Sequence, residues 1–297
     1  MILGLNEEEF FAQGHRSCAG CGCALAMRYA LKAAGKDTIV CNATGCMEVV
    51  SSPYPQTSWK VPWIHAAFEN AAAVASGVER ALKKEDKKSN VLVIAGDGGT
   101  FDIGFQALSG AFERGHNITF LCYDNGAYMN TGVQRSGATP KYAATTTTPT
   151  GLKTHGKTEF KKEMPFIVAA HNAYVATANI AYPQDFTKKM QKAIAFKGPA
   201  YVQIYAPCVI GWKIPSNMTI NDSKLAFETR IYPLYEIDKG VLKFTLKPSK
   251  DVPVTEYLKL QGRFKHMNDK ETNEIQAHVN ERWERLVKIE KSGLKIF

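Results

Sequence analysis

Val91-Leu92-Val93-Ile94-Ala95-Gly96-Asp97-Gly98-Gly99-Thr100-Phe101-Asp102-Ile103-Gly104 joins an apolar run, a glycine-rich turn carrying a carboxylate, and the approach to a helical pattern. A short run of Val, Leu and Ile ended by glycines reads as a buried strand, Val91 to Ala95. The same order repeats along the chain. Predicted helices cover Cys23 to Ala34, Ala66 to Lys83, Gly104 to Arg114 and Pro183 to Phe196. Predicted strands cover Thr38 to Cys41, Ile118 to Tyr123, Tyr174 to Thr177 and Ala200 to Tyr205. Strands alternating with helices predict an α/β fold, a parallel sheet sandwiched by helices. Ligands of such sheets collect at the carboxyl ends of the strands, where nearly all the polar signatures of this chain fall.

The chain has 297 residues, 45% of them hydrophobic and 22% charged, an ordinary globular composition. Its apolar runs are strand-sized and too short to cross a bilayer. Met1 to Glu9 lacks a basic segment followed by a long apolar stretch, so no signal peptide and a cytoplasmic location are expected. The net charge of +9 rests on scattered Lys and Arg, with short clusters at Lys83-Lys84, Lys87-Lys88, Lys161-Lys162 and Lys188-Lys189. These read as a solvated surface, or as a face for an acidic ferredoxin or coenzyme A. No recognition helix or basic arm points to nucleic acid, and no membrane association is expected.

Residues 126–164 lack periodicity and carry the threonine run Thr145-Thr146-Thr147-Thr148. A loop of that length inside a domain is usually functional. Residues 1–212 read as the α/β domain. Residues 213–297 read as a C-terminal extension, with a charged helix near 271–290, packing on that domain or on a partner.

Gly96, Gly98 and Gly99 let the backbone approach phosphate oxygens, and helix N-terminal amides bind the anion. Asp97 offers a hard oxygen for Mg²⁺, which bridges protein to diphosphate. Asp124-Asn125-Gly126-Ala127 ends the next strand, so Asn125 and the Ala127 carbonyl can complete the protein's share. The turn lacks the Gly-x-Gly-x-x-Gly spacing of nicotinamide sites. An ordinary βα turn is the bland alternative.

Seven cysteines without a secretory signal favour metal ligation or burial over disulfides. Cys41 and Cys122 sit in apolar strands and read as core residues. Cys18-Ala19-Gly20-Cys21-Gly22-Cys23 alone fits an iron–sulfur cluster, zinc or a redox dithiol. Zinc usually takes a second close pair, which neither Cys46 nor Cys208 supplies, whereas a cubane needs four corners at no fixed spacing. Cys21 and Cys23 compete for one corner, and Cys208 alone is equally a buried thiol. His15, Arg16 and His65 are candidate ligand-binding residues or merely satisfied side chains.

Five separated motifs, Gly14 to Gly22, Asn42 to Glu48, Trp63 to Asn70, Gly96 to Gly104 and Tyr128 to Gly137, resemble the β subunit of pyruvate:ferredoxin oxidoreductase, within the 2-oxoacid:ferredoxin oxidoreductases. The resemblance spans roughly residues 14–212. It implies the thiamine diphosphate-binding fold with Mg²⁺ and a proximal [4Fe-4S] cluster. The family's cluster ligands fall on Cys18, Cys21, Cys46 and Cys208, and its Mg²⁺ ligands on Asp97, Asn125 and the Ala127 carbonyl. Asn130 matches a residue beside the thiamine and is the candidate catalytic group. Cys23, Gly45, Cys46, Gly96, Gly98, Gly99, Tyr128 and Met129 are the remaining expected cofactor contacts, with Cys23 a departure from the family pattern.

The implied reaction is CoA-dependent oxidative decarboxylation of pyruvate to acetyl-CoA and CO₂. Electrons pass singly to ferredoxin, and α, γ and δ-type subunits complete the enzyme. The glutamate that activates the aminopyrimidine and the arginine that holds the substrate belong to the α subunit, so this chain alone is expected to be inactive. Arg135 to Pro140 and the threonine run look most like the pyruvate enzymes. Another 2-oxoacid, oxalate, or a non-redox thiamine enzyme are the alternatives. The expectation is that folding gathers the distant thiolates beside the thiamine site.

Overall fold

Six strands of β-branched and small apolar residues run parallel in one sheet, and the loops at their carboxyl ends face the same edge. The computed structural model describes residues 5 and 7–297. The signal-peptide reading falls largely on residues 1–4 and 6, outside the described residues. Among the described residues the strands are β1 (Thr38–Ala43), β2 (Trp63–Ala66), β3 (Asn90–Gly96), β4 (Thr119–Asp124), β5 (Tyr174–Asn179), β6 (Ala200–Tyr205), β7 (Leu234–Asp238) and β8 (Val241–Leu246). Their order is β2-β1-β3-β4-β6-β5-β7-β8. The first six are parallel; β7 pairs antiparallel with β5, and β8 with β7.

The period of two along each strand sorts side chains to two faces. Val40, Leu92, Ile94, Leu121, Val202 and Ile204 share a core with Met27 and Leu31 of α1 (Gly22–Ala34). Cys41, Val91, Val93, Phe120 and Cys122 face the other way, toward Ala72 and Leu108. Each fully buried Leu, Ile or Val contributes about 1.5–3 kcal/mol, so both cores hold the sheet rigid under the site loops. Cys41 and Cys122 are core residues as expected.

The other helices are α2 (Cys46–Val49), α3 (Ala71–Lys84), α4 (Phe105–Glu113), α5 (Met164–Ala169), α6 (Pro183–Ala195), α7 (Val209–Trp212), α8 (Thr219–Glu228), α9 (Val254–Leu260) and α10 (Asp269–Ser292). The helix expected from Ala66 starts later, because Ala66 closes β2 against Ala43 and residues 67–70 turn. The first turn after β3 is a π-helical one, Gly98–Asp102.

Residues from 213 on carry the sheet further. β7 and β8 are joined through Lys239 and Gly240, both at positive φ (49° and 81°), the two-residue turn whose twist suits a hairpin. α10 begins with a capping box, in which Asn268 and Glu271 satisfy each other's backbone N–H, and buries Leu286 against the sheet. The solvated-surface reading fails at two lysines. Lys189 is fully buried and donates to Asp185 and the Thr177 carbonyl. Lys161 pairs with buried Asp124.

Candidate functional site: a glycine-walled cavity beside four thiols

Four neighbouring parallel strands each deliver one loop to the same edge. β1 leads into Thr44-Gly45-Cys46, β3 into Asp97-Gly98-Gly99, β4 into Asn125-Gly126-Ala127 and β6 into Ala206-Pro207-Cys208. A cavity of about 140 Å³ opens between the first three of these loops. Gly45, Cys46, Gly96, Gly98, Gly99, Asn125, Ala127, Tyr128, Met129 and Asn130 line it, together with Thr44, Phe68, Tyr123 and Thr131, for which the sequence reading assigned no role.

The glycines are demanded by contact. Gly45 sits at φ 155°, and a Cβ there would lie 2.8 Å from the Tyr123 hydroxyl. A Cβ on Gly98 would collide with the Tyr128 ring, whose hydroxyl donates to the Gly98 carbonyl at 3.3 Å. A backbone this bare suits a ligand that needs close approach to peptide groups. Asn130 is exposed on the turn after Tyr128.

Asp97 lies beneath the cavity and is fully buried. Burial pushes its carboxyl up to about 7, and the charge of Asp124 adds to that. The Ser136 hydroxyl, Lys161 and the Asn125 N–H pull the other way. Ser136 donates to Oδ2, and the Asn125 backbone N–H reaches Oδ1 at 3.3 Å. The Asn125 side-chain oxygen faces both Asp97 Oδ1 and the Ala127 carbonyl at 2.9 Å, and turning the amide by half a turn would let its NH₂ donate to both. In the first orientation the Asn125 oxygen lies between the Asp97 carboxylate and the Ala127 carbonyl, an all-oxygen set of the kind a hard cation takes; in the second the amide satisfies both by hydrogen bonds. The residues expected as Mg²⁺ ligands lie side by side, and their oxygens are the donor type magnesium takes.

Cys23 is not on the cavity wall. It is 2% exposed, behind Asn125, whose Nδ2 donates to its sulfur at 3.6 Å. Its S–H is directed at the Ala206 carbonyl at 4.0 Å. The neighbouring Cys23 thiol is the largest influence drawing Cys21 down to about 6; burial opposes it.

The Cys18–Cys21 loop is stitched to the end of β6. Cys21 N–H donates to Cys18 O at 3.0 Å, and Gly22 N–H to Pro207 O at 3.1 Å. A Cβ on Gly22 would lie 2.8 Å from Pro207 N, and Thr219 closes the loop by donating to Gly20 O at 2.6 Å. Cys208 accepts from the Gly211 N–H at 3.3 Å. Cys18 is exposed, while Cys21, Cys46 and Cys208 are half-buried. Burial pushes Cys46 up to about 12, and the charges of Cys208, Cys21 and Cys18 add to it. Cys208 is raised by burial and by Cys21 and Cys18. The four sulfurs thus lie within electrostatic reach of one another, and their mutual repulsion as thiolates is what bound iron would relieve. Among the described residues no three His, Cys, Asp or Glu groups converge on a single ion. Four thiols are the donor type that an iron–sulfur cluster takes.

His65 hydrogen-bonds Thr44 at 2.7 Å, and His15 stacks on Phe11 at 5.1 Å. Neither lines the cavity. Ser136, which the sequence reading quoted without a role, is the side chain that holds Asp97.

Residues 43–204 match the family described as thiamine pyrophosphate enzyme, C-terminal TPP binding domain. Pyruvate synthase subunit PorB of Methanocaldococcus jannaschii is 55% identical over 95% of this chain and 98% of its own length. The chain belongs to the PorB family. Ketoisovalerate oxidoreductase subunit VorB of Pyrococcus abyssi is 46% identical over 95% of this chain and 94% of its own. A solved 2-oxoglutarate:ferredoxin oxidoreductase from Magnetococcus marinus shares the fold, with a TM-score of 0.59 at 24% identity over 69% of each chain. In this PorB-family chain the thiamine-binding segment contains the cavity's glycines, Asp97, Asn125 and Cys46. Cys18, Cys21 and Cys208 lie outside it.

Proposed function

We propose that this chain is the thiamine diphosphate-binding β subunit of a pyruvate:ferredoxin oxidoreductase. With α, γ and δ-type partner subunits, in the cytoplasm, it converts pyruvate and coenzyme A to acetyl-CoA and CO₂ and sends single electrons through a proximal [4Fe-4S] cluster to ferredoxin. The observation that carries this reading is the double position of Cys46, which lines the thiamine cavity and belongs to the thiol quartet.

Bound thiamine diphosphate supplies an electron sink for decarboxylation, and an iron–sulfur cluster supplies one-electron transfer. Asp97, Asn125 and the Ala127 carbonyl would hold Mg²⁺ against the diphosphate, with Gly96, Gly98 and Gly99 leaving room for its oxygens. Cys18, Cys21, Cys46 and Cys208 would hold the cluster. Asn130, at the cavity mouth, would orient the substrate by its amide. The base that activates the aminopyrimidine would come from the α subunit. Residues 1–212 would carry both cofactors, with 213–297 bracing the loops from behind.

Pyruvate rests on the PorB relative at 55% identity, whereas VorB at 46% matches as well as the PorB of Pyrococcus furiosus, so the substrate panel decides between pyruvate and a branched 2-oxoacid. The test is anaerobic copurification with the partner subunits, followed by ferredoxin reduction with a panel of 2-oxoacids and oxalate. Pyruvate should give the highest kcat/KM, with strict dependence on coenzyme A. Preference for a branched 2-oxoacid would overturn the substrate, and a complex lacking iron would overturn the redox assignment.

A further inference from the structure

One short helix joins the thiol quartet to the metal loop. Cys208 opens α7, and its sulfur accepts the Gly211 N–H at 3.3 Å. Trp212 closes the turn, its backbone N–H on the Cys208 carbonyl at 2.9 Å. The Trp212 indole is buried, and its Nε1–H donates to the backbone carbonyl of Asn125 at 2.7 Å. An indole N–H only donates, and it takes a partner when buried. That carbonyl carries the chain into Gly126 and Ala127, and the contact is the same whichever way the Asn125 amide is turned. From the other side Arg263 lies 4.0 Å over the indole ring, fixed by Gln261 at 2.7 Å and by Tyr257 at 3.3 Å. Between Cys208 and Trp212 the turn meets the cavity wall: a Cβ on Gly211 would lie 2.3 Å from the Met129 sulfur.

We infer that α7 is a strut and Trp212 a positioning residue: iron bound at Cys208 fixes the start of the turn, and the Trp212 indole carries that order to the Asn125 carbonyl, so a loaded cluster tightens the magnesium loop. The inference rests on the proposed reading of Cys208 as a cluster ligand and of Asn125 and Ala127 as magnesium ligands. A helix of four residues has too few internal bonds to hold itself, so its ends are set by what they bind. Without iron, the cap at its start is a single sulfur, a weak acceptor. Removing the indole N–H leaves a buried carbonyl unpaired. A phenyl ring in its place keeps the apolar packing under Arg263 and removes only that donor.

The test uses the assembled complex, purified anaerobically, as wild type, Trp212→Phe, Cys208→Ala and the double variant. Mn²⁺ affinity is measured by magnetic resonance at saturating thiamine diphosphate, with iron and sulfide counted in each preparation. Trp212→Phe should keep its iron and weaken Mn²⁺ about fivefold, the low end of couplings between sites. Cys208→Ala should lose its iron and weaken Mn²⁺ by a similar factor. The double variant should be no weaker than either single one, because both break the same strut. Factors that multiply in the double variant overturn the inference, as does either single variant binding Mn²⁺ like wild type. Loss of iron in Trp212→Phe would make the indole a support of the cluster loop and also overturn it. Cys18→Ala removes an exposed corner, leaves Cys208 in place, and serves where Cys208→Ala fails to assemble. It should match Cys208→Ala; wild-type Mn²⁺ affinity without iron would overturn the role of the cluster. Failure of the underlying reading looks different: Cys208→Ala would keep its iron, or Asp97→Ala would bind Mn²⁺ normally.

Discussion

Asp97 and Asp222 are both sealed from solvent in one chain, and burial raises both carboxyls, to about 7 and about 6. Their surroundings differ. Asp222, within the C-terminal extension, receives the Tyr205 hydroxyl at 2.8 Å on one oxygen and the Gln261 amide at 2.8 Å on the other. Arg263 fixes Gln261 at 2.7 Å and lies 4.0 Å over the Trp212 ring. Asp97 has Ser136 on one oxygen and the Asn125 backbone N–H at 3.3 Å on the other, which also faces the Asn125 side-chain oxygen, itself 2.9 Å from the Ala127 carbonyl. Burial alone therefore does not mark a metal site. An acid whose protein donors are used up is structural, whereas one left facing further acceptors is built for a cation.

The sharpest way to break this contrast is to exchange the two acids' fates. Asp97→Ala should weaken Mg²⁺-dependent thiamine diphosphate binding by more than about 100-fold, beyond the 10–100-fold typical of outer-shell partners. Asp222→Asn should leave it unchanged in the same calorimetric titration. Cys208→Ala comes next: iron and sulfide analysis should show the cluster lost while thiamine diphosphate still binds, because the cavity does not include Cys208. Gly45→Ala forces a side chain into φ 155° and against Tyr123, and thermal unfolding should show a loss of about 1–3 kcal/mol.

The smallest effect is a pH dependence. Both acids have folded pKa values raised above the ordinary 3.8, so their stabilising contribution is full below about pH 4. It is lost as pH rises, through about 6 for Asp222 and about 7 for Asp97. Saturating Mg²⁺ should abolish the Asp97 part alone, flattening the loss of stability between about pH 6 and 7. A fall that persists with Mg²⁺ would mean that Asp97 does not meet the metal.

The parallel core was legible because strand and helix periods alternate cleanly, and the diphosphate loop because glycines and a carboxylate follow a buried run. Strand order was not, since nothing local in Thr38 to Cys41 says that it lies beside Val91 to Ala95. β2 was missed because Trp63-Ile64-His65-Ala66 is an edge with only Ala66 buried. β7 and β8 were hidden by Pro233 and interspersed lysines, although Lys239-Gly240 was an available turn signal. The thiol quartet was recognisable from motif resemblance, whereas the place of Cys23 behind Asn125 depends on the direction of one side chain at the start of α1. Ser136 carried no signal either; it meets Asp97 only because the loop after β4 folds back under β3.

The central claim is that the oxygens of Asp97, Asn125 and Ala127 form a divalent-metal site and the two oxygens of Asp222 do not. An anomalous difference map from crystals of the assembled complex grown with Mn²⁺ and thiamine diphosphate tests it directly. The expected result is a manganese peak within bonding distance of all three oxygens and none at Asp222; a peak elsewhere with the Asp97 carboxylate unligated would contradict it.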